Sequence, residues 1–366
     1  MTRRQFAFGL AGGTWIALIA ATALSIFGIQ SFLHYQATPF PFFGTGFIMS
    51  DPVIGYTGMP NAEMHHVVPP VYDVFTNHRG GRDSYLGQQA PENIDFLFVG
   101  DSYTWGGGVS DEETFVKTLG RRLGASVFNA AEPNYSMVPA LLSIEKFADM
   151  KPRYIVFGFL AEALPGIFLP CAHKTALLCR PMAYLDRGPI GLEMRPPGDG
   201  QLYSSYVRDI VFHHSFGWRD IYWTAYRDIS LTISNRTRIA REGHREADSD
   251  WRSDPAWHVL GLRLLVDEMV KEASSLGARL IFLNISPSWV SGADYTPPRE
   301  VMEALEEERN SGRLLYVDCV PLLREAAAAH GIDHVRIPGD GHFTAAAHAI
   351  VADEIAAAVI TQGAQR

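Results

Sequence analysis

The sequence predicts an α/β protein, a three-layer sandwich in which a five-stranded parallel sheet lies between two layers of helices. Apolar runs of strand length alternate along the chain with segments of helical periodicity. The runs contain few polar positions, as is typical of parallel strands that are buried on both faces. Helices that connect such strands cover the two faces of the sheet. The predicted strands are residues 94–99, 126–129, 154–160, 279–284 and 313–318.

The predicted helices carry start and stop signals. The first has acidic residues in its first turn, from Asp111 to Glu113, and Arg121 and Arg122 in its last turn, before Gly124. That charge order suits the helix dipole, and glycine commonly follows the end of a helix. The predicted helices are residues 111–123, 138–150, 257–276, 301–310, 320–330 and 345–360.

The composition is that of a folded, acidic protein. The 366 residues suffice for one large domain or two modest ones with a sizeable core. Hydrophobic residues make up 47% of the chain and charged residues 19%, which excludes a disordered protein. The formal net charge of −9 offers no basic stripe to neutralise phosphates, so no nucleic-acid partner is expected.

The N-terminus, residues 1–35, is predicted to be a membrane anchor or an export signal. Arg3 and Arg4 precede an uncharged run from Phe6 to Phe32, which is long enough to cross a bilayer as a helix. By the positive-inside rule the arginines stay in the cytoplasm and the rest of the chain lies outside. The alternative is a cleaved signal with a twin-arginine appearance and a small-residue site at 21–23. We favour the uncleaved anchor, because apolar residues continue past that site.

Residues 36–366 are predicted to form one domain with an insert at about 165–255. Residues 36–91 are rich in proline, glycine and aromatic residues and predict irregular structure or short strands that wrap the main domain. The insert interrupts the alternation of strands and helices, and we expect it to form helices and loops over one end of the sheet. Arg79 and Arg82 lie in a predicted turn; either could face a site, but solvated turn arginines are the commoner outcome.

The three cysteines agree with a location outside the cytoplasm. Cys171 and Cys179 lie close together in the insert and can form a local disulfide in an oxidising compartment. A metal site with His173 as third ligand is the alternative, although the C-x2-C spacing of zinc sites is absent. Cys319 follows an apolar run and is predicted to be a buried thiol.

The most informative stretch is the end of the first predicted strand. The apolar run stops at Gly100-Asp101-Ser102, and a glycine cluster follows. Ligands of open α/β sheets bind at the carboxyl ends of the strands. A serine at that edge is a candidate nucleophile if a base reaches it. The alternative is that Ser102 only caps the following helix.

A candidate base lies in the last turn of the chain, before the terminal helix. Asp340 and His342 are two residues apart there. A histidine of ordinary pKa takes the proton of a serine near neutral pH, and a nearby carboxylate fixes the tautomer of the imidazole. The turn can lie across the sheet end from Ser102. The chain order Ser, Asp, His therefore predicts a catalytic triad of Ser102, Asp340 and His342.

These two blocks resemble the SGNH (GDSL-type) hydrolases, and are closest to the membrane-anchored or exported bacterial branch of that family. The resemblance extends to the segments 77–82, 104–109 and 129–136. It covers roughly residues 46–164 and 257–360.

The resemblance implies a flavodoxin-like α/β/α sandwich that hydrolyses esters. It implies the roles of nucleophile for Ser102, base for His342 and orienting carboxylate for Asp340. Together with the N-terminal anchor, the resemblance to the bacterial branch predicts a single-pass protein of the bacterial inner membrane whose catalytic domain lies in the periplasm.

Two departures from the family pattern concern the oxyanion hole. Asn134 stands where the family has a glycine whose N–H serves the oxyanion, and asparagine tolerates the positive φ that such a turn needs. The family block Gly-x-Asn-Asp is replaced by a segment that starts at Gly158 and contains Glu162 but no asparagine. One such donor contributes about 2.7–4 kcal/mol of transition-state stabilisation, and an ionised glutamate is a poor replacement. Asn284, at the end of the fourth predicted strand, is a candidate replacement donor.

Residues and resemblance together predict a serine esterase that removes an acyl group, such as acetyl, from an envelope or exported glycan. The expected partners are that acylated glycan, or another ester, and the inner membrane; no cofactor and no metal are expected. Two alternatives stay open. One is an O-acyltransferase, in which a sugar hydroxyl intercepts the acyl-Ser102. The other is a non-catalytic glycan-binding or assembly protein on a degenerate hydrolase fold, which the missing asparagine favours.

Overall fold

The structure is a computed structural model that describes residues 48–66, 70–85, 88–175, 178–197, 251–291 and 296–363, together with Thr22. The predicted membrane segment, residues 1–35, lies outside this described part except for Thr22. Residues 198–250, more than half of the predicted insert, also lie outside it.

The described chain begins with short strands and continues with alternating strands and helices. The strands are β1 (Ile48–Asp51), β2 (Gly55–Gly58), β3 (Glu63–His66), β4 (Tyr72–Thr76), β5 (Arg82–Asp83), β6 (Phe96–Gly100), β7 (Val127–Asn129), β8 (Tyr154–Phe159), β9 (Cys171–Thr175), β10 (Leu178–Pro181), β11 (Tyr184–Gly188), β12 (Gly191–Arg195), β13 (Arg279–Asn284) and β14 (Leu315–Asp318). The α-helices are α1 (Ser102–Trp105), α2 (Phe115–Leu123), α3 (Met137–Lys146), α4 (Pro255–Ser275), α5 (Pro287–Ser291), α6 (Arg299–Asn310), α7 (Val320–His330) and α8 (Ala345–Gly363).

The central sheet has eight strands in the order β14-β13-β8-β6-β7-β5-β4-β3. The first five run parallel and correspond to the five predicted strands. Beyond β7 the sheet continues antiparallel through β5, β4 and β3, so the prediction of a five-stranded, purely parallel sheet is wrong. The sequence of these three strands carries no long apolar run. The two-residue strand β5 pairs with β4 on one side and, at Arg82, with Asn129 of β7 on the other.

Helices cover both faces of the sheet, as predicted. Along β6, Leu97 and Val99 belong to one buried cluster, whereas Phe96 and Phe98 belong to the other, which is the alternation expected of a strand buried on both faces. The first cluster includes side chains of α3, α4 and α6, and the second includes side chains of α2, α7 and α8. The parallel strands follow the order β7-β6-β8-β13-β14, which is the flavodoxin-like order.

The described part of the insert differs from the expectation of helices and loops. It contains two antiparallel hairpins, β9–β10 and β11–β12, and a 3-10 helix at Ala161–Phe168. Cys171 and Cys179 lie on β9 and β10, but their side chains are outside the described part, so the disulfide stays a prediction. Cys319 is a free, fully buried thiol, as predicted.

Within the described residues, one helix is long and apolar enough to cross a membrane by length and composition, namely residues 345–362 of α8. The core helix of a soluble domain passes the same test. Val351 and Ile355 of α8 are fully buried in the cluster that α2 shares, and Arg122 of α2 donates a hydrogen bond to the carbonyl of Ala349. We therefore describe α8 as a helix of the domain.

Candidate active site

The site lies at the carboxyl ends of β6 and β8, where the strand order of the sheet reverses direction. In flavodoxin-like sheets this point forms a crevice for ligands. β6 ends at Gly100, and Asp101 caps the short helix α1 by accepting a hydrogen bond from the N–H of Tyr103 at 3.0 Å. Asp101 is thus the cap, and the alternative in which Ser102 only caps the helix is wrong. Ser102 is the first residue of α1 and is partly exposed.

Three side chains form one continuous hydrogen-bonded chain. The hydroxyl of Ser102 lies 2.9 Å from Nε2 of His342, and Nδ1 of His342 lies 2.6 Å from Oδ1 of Asp340. With the proton on Nδ1, His342 donates to the carboxylate and accepts from the serine hydroxyl, which is the arrangement of a serine nucleophile with its base. The backbone N–H of His342 also donates to Oδ1 of Asp340, at 3.1 Å.

A tight turn of residues 337–342 holds Asp340 and His342 in this relation. The N–H groups of Ile337 and Gly341 donate across the turn, to the carbonyls of His342 and Ile337 respectively. Gly341 has φ of 95°, a conformation that side chains rarely adopt. Its carbonyl accepts hydrogen bonds from the hydroxyl of Tyr103 and from Nε of Arg336, each at 2.9 Å. Tyr103 follows Ser102 in the chain, so its hydroxyl ties the helix of the serine to the turn of the histidine.

The imidazole of His342 rests on a glycine loop that a buried arginine supports. A side chain at Gly107 would place its Cβ 3.0 Å from the ring, so any larger residue would require the imidazole to shift by a few tenths of an ångström. Arg82 donates to the carbonyls of Trp105, Gly106 and Val109, and its side chain is 1% exposed. It also forms an ion pair with Asp111. Arg82 therefore fixes the loop that lies against the base, and the expectation of a solvated turn arginine is wrong for this residue.

The carboxyl of Asp340 has a lowered pKa and is ionised at neutral pH. Burial raises its pKa, but the hydrogen bond and the charge of His342 outweigh burial and hold the pKa below its ordinary value. The side chains of Asp340 and His342 are 29% and 27% exposed, so both ends of the pair meet solvent at the mouth of the site. A permanent carboxylate favours the imidazolium that forms when His342 takes a proton.

The pKa of Asp101 is shifted in the opposite direction. Burial raises its pKa to about 7, against the hydrogen bond from Tyr103 and the charge of His342, while the nearby charge of Glu162 adds to the increase. The group is therefore largely protonated in the folded protein below neutral pH.

We expect the Asp101→Asn variant to lose a pH dependence of stability. In the unfolded chain the pKa of Asp101 is near 3.8, so between about pH 4 and 7 the folded state holds a proton that the unfolded state has lost. Such a group makes the free energy of unfolding decrease as pH rises, by roughly 1 kcal/mol per pH unit. Urea unfolding of both proteins between pH 5 and 6.5 tests this, because the difference between their free energies of unfolding should change with pH. Parallel curves for the two proteins would rule out the raised pKa.

Asn134 lies in a turn that is tied to the end of β6. The N–H of Glu132 donates to the carbonyl of Gly100 at 3.1 Å, and the N–H of Tyr135 donates to the carbonyl of Glu132. The hydroxyl of Tyr56 donates to the carbonyl of Pro133 at 2.8 Å, and the hydroxyl of Tyr135 donates to the carbonyl of Tyr56. The backbone of Asn134 has φ of 69°, in the left-handed region. The side chain of Asn134 is half-buried.

The other residues considered for the oxyanion hole pack against or hydrogen-bond to other parts of the protein. A Cβ on Gly158 would lie 1.8 Å from Oγ1 of Thr104, so this glycine provides space for the helix that carries Ser102. Glu162 accepts hydrogen bonds from the N–H and the hydroxyl of Ser288, both at 3.1 Å. Asn284 donates to Asp318 at 3.0 Å and accepts from Ser286, and its strand β13 is not adjacent to β6. The structure therefore does not bring Asn284 to Ser102.

A small recess lies between β6, β8 and the start of α3. Its lining includes Gly100, Asp101 and Gly158 at the strand ends and apolar walls such as Leu160. Leu160 is the residue two positions after Gly158, where the resembled family has its asparagine. Ser136 also lines the recess, and its hydroxyl has no hydrogen-bond partner among the described residues.

The free hydroxyl of Ser136 has a local cause. Ser136 is the N-cap of α3, and an N-cap side chain usually accepts a hydrogen bond from the second or third residue of the helix. The third residue here is Pro139, which has no N–H.

Sequence reasoning did not identify the residues that position the triad. Tyr103, Gly107 and Arg82 each act through a partner distant in the chain, at Gly341, His342 and Asp111 respectively. The available signal was the pattern around them, since Gly107 and Arg82 lie in segments that carry the family resemblance and Tyr103 directly follows the Gly100–Ser102 block. No cluster of three or more His, Cys, Asp or Glu side chains that could hold a metal occurs in the described part of the chain.

No protein-family model matches the chain, and no curated protein matches it. Among solved structures, a putative lipolytic protein of the G-D-S-L family from Desulfitobacterium hafniense DCB-2 is 10% identical, with a TM-score of 0.39 over 73% of this chain and 99% of that chain. The acetylxylan esterase Axe2 from Geobacillus stearothermophilus is 14% identical, with a TM-score of 0.38 over 74% and 96%. TesA is 13% identical, with a TM-score of 0.38 over 72% and 97%. The chain is thus distantly similar to solved structures of GDSL-type (SGNH) hydrolases.

Proposed function

We propose that the protein is a serine ester hydrolase of the SGNH type, which removes a small acyl group such as acetyl from a glycan through an acyl-Ser102 intermediate. The observation that supports this most is the hydrogen-bonded chain from Ser102 through His342 to Asp340. A serine held only for helix capping has no need of an imidazole on its hydroxyl. The capping role belongs to Asp101 in any case.

The geometry supports an ordinary two-step acyl transfer. The oxygen of Ser102 attacks the ester carbonyl while its proton passes to Nε2 of His342, and Asp340 stabilises the resulting imidazolium. The negative charge moves to the carbonyl oxygen, for which the backbone N–H groups of Ser102 and Asn134 are the candidate donors. The tetrahedral intermediate collapses, and the leaving alcohol takes the proton from His342. A water molecule, activated by the same histidine, then releases the acid and restores Ser102.

The small acyl group is proposed from the walls of the recess beside Ser102. Phe157, Phe159, Leu160 and Leu164 line it and leave little open space between them. Such walls suit a short apolar group better than a charged one. A short acyl chain leaves the alcohol part of the ester, here proposed to be a sugar, on the solvent side of the triad.

The location is proposed from the sequence. The uncharged run from Phe6 to Phe32, with Arg3 and Arg4 before it, supports a single-pass anchor in a bacterial inner membrane with the domain in the periplasm. A glycan of the cell envelope, or one in export, is the acylated substrate that this location offers.

The proposal is tested with the full chain in detergent and a series of acetyl, butyryl and octanoyl esters together with an acetylated oligosaccharide. We expect turnover that is fastest for acetyl esters and that Ser102→Ala abolishes. Ser275→Ala, an exposed serine at the end of α4, serves as the matched control and should keep the wild-type rate. Equal rates for wild type and Ser102→Ala would refute the hydrolase. Transfer of the acetyl group to an added unacylated glycan, with a corresponding decrease in the acetate that is released, would identify a transferase instead.

A further inference from the structure

The site contains one uncommitted side-chain amide, that of Asn134. Among the described residues its carboxamide makes no hydrogen bond, although the backbone on both sides of it is held by Tyr56, Tyr135 and Glu132. The turn that carries it is attached to the carbonyl of Gly100, two residues before Ser102. A half-buried amide on a fixed turn beside the nucleophile is available for a ligand.

The backbone conformation of Asn134 lies in the left-handed region, with φ of 69°. Asparagine adopts this region more readily than most residues with a side chain, and Asn61 shares it, so the φ by itself assigns no role. Glycine adopts the same conformation without strain. An exchange of Asn134 for glycine therefore keeps the turn and removes only the carboxamide.

The other side chains at this edge of the sheet are less suited to donate a hydrogen bond to the oxyanion. Leu160 is apolar, Glu162 is a carboxylate bound to Ser288, and Gly158 has no side chain. The hydroxyl of Ser136 lines the recess without a hydrogen-bond partner among the described residues, but it is buried, whereas Asn134 is half-buried. The partly exposed amide of Asn134 is the remaining side-chain group that a developing charge at the mouth of the site can meet.

We propose that the side-chain carboxamide of Asn134 donates to the oxyanion, in addition to the backbone N–H that the resemblance already implies for this position. This inference rests on the proposed ester hydrolysis at Ser102. A side-chain amide that donates to the oxyanion stabilises the transition state more than the neutral ester, because the carbonyl oxygen gains charge only during attack. The amide thus contributes to kcat, and only weakly to the binding of the ester.

The Asn134→Gly variant isolates the side chain from the backbone. Glycine keeps the N–H and adopts the required φ, so only the carboxamide is lost. We expect kcat for the best ester of the series to decrease about 100-fold with little change in KM, the effect of removing one oxyanion donor. Asn134→Asp, which replaces the amide with a carboxylate of the same shape, is expected to lose at least as much. The rate of phosphonylation of Ser102 by a fluorophosphonate should decrease in parallel, since its P=O oxygen occupies the same position.

Asn61→Gly is the matched control. Asn61 also has a positive φ, 54°, but lies exposed in another turn, so its replacement should leave kcat and the phosphonylation rate at wild-type values. An Asn134→Gly enzyme that is as fast as wild type, or faster, would overturn the inference while Ser102-dependent turnover still supports the hydrolase. A decrease equal in the Asn61 and Asn134 variants would assign the loss to backbone stability and overturn it as well. If the wild type turns over no ester, or turns it over no faster than Ser102→Ala, the proposed function itself is refuted.

Discussion

Replacing His342 with glutamine is expected to lower kcat for ester hydrolysis by about 10⁶-fold, and replacing Asp340 with asparagine by about 10⁴-fold. His342 is the group within reach of the hydroxyl of Ser102, at 2.9 Å, so its loss removes both the base and the acid of the reaction. Asp340 acts through His342, and an asparagine in its place still contacts Nδ1 but favours the wrong tautomer. Steady-state kinetics of the two variants with an acetyl ester measure both effects.

The relative size of the two decreases in kcat distinguishes the role of His342 from that of Asp340. An Asp340→Asn variant as impaired as His342→Gln would mean that the carboxylate touches the reacting atoms directly. A His342→Gln variant that keeps more than a few per cent of wild-type kcat would contradict the assignment of His342 as base. Ser275→Ala provides the control preparation for both.

The second large effect is on stability. Arg82→Met is expected to lower the free energy of unfolding by about 3–5 kcal/mol, the typical cost of removing one partner of a buried ion pair. The variant leaves Asp111 as a buried carboxyl without its cation and leaves the carbonyls of Trp105, Gly106 and Val109 without their donor. Burial already raises the pKa of Asp111 against the charge of Arg82, so this carboxyl is expected to take up a proton when the arginine is lost.

Arg79→Met is the matched control for Arg82. Arg79 lies three residues earlier and pairs with Asp149, whose side chain is 63% exposed. Exposed pairs of this kind contribute less than about 1 kcal/mol. Urea unfolding of the two variants should therefore separate them clearly. Equal destabilisation would mean that Arg82 has no special structural role in the loop below His342.

The parallel core was predictable because its strands are continuous apolar runs. The segments 94–99 and 279–284 each became a strand buried on both faces, and the layer of helices followed from their alternation. The antiparallel extension was not predictable in this way. β5 consists of two polar residues, Arg82 and Asp83, whose strand conformation depends on pairing with β4 and β7 and not on their own pattern.

The same distinction between local patterns and contacts of distant segments applies to the candidate site. Ser102, Asp340 and His342 lie in turns whose local chemistry is visible in the sequence, and the positive φ expected of Asn134 is present. Asn284 was a candidate because it ends a strand, but strand order places it beyond β8, where it donates to Asp318. Glu162 is bound by Ser288, 126 residues away. Contacts between distant segments decide such cases, and a local pattern does not contain them.

The central claim is that Ser102 is a nucleophile activated by His342. The most direct measurement is labelling of the folded full chain with a fluorophosphonate, followed by mass spectrometry of the peptides. The account predicts one adduct, on Ser102, that is absent from Ser102→Ala, greatly slowed in His342→Gln and lost when the protein is unfolded in urea. A folded wild-type protein that acquires no adduct, or acquires it on another residue, would contradict the account.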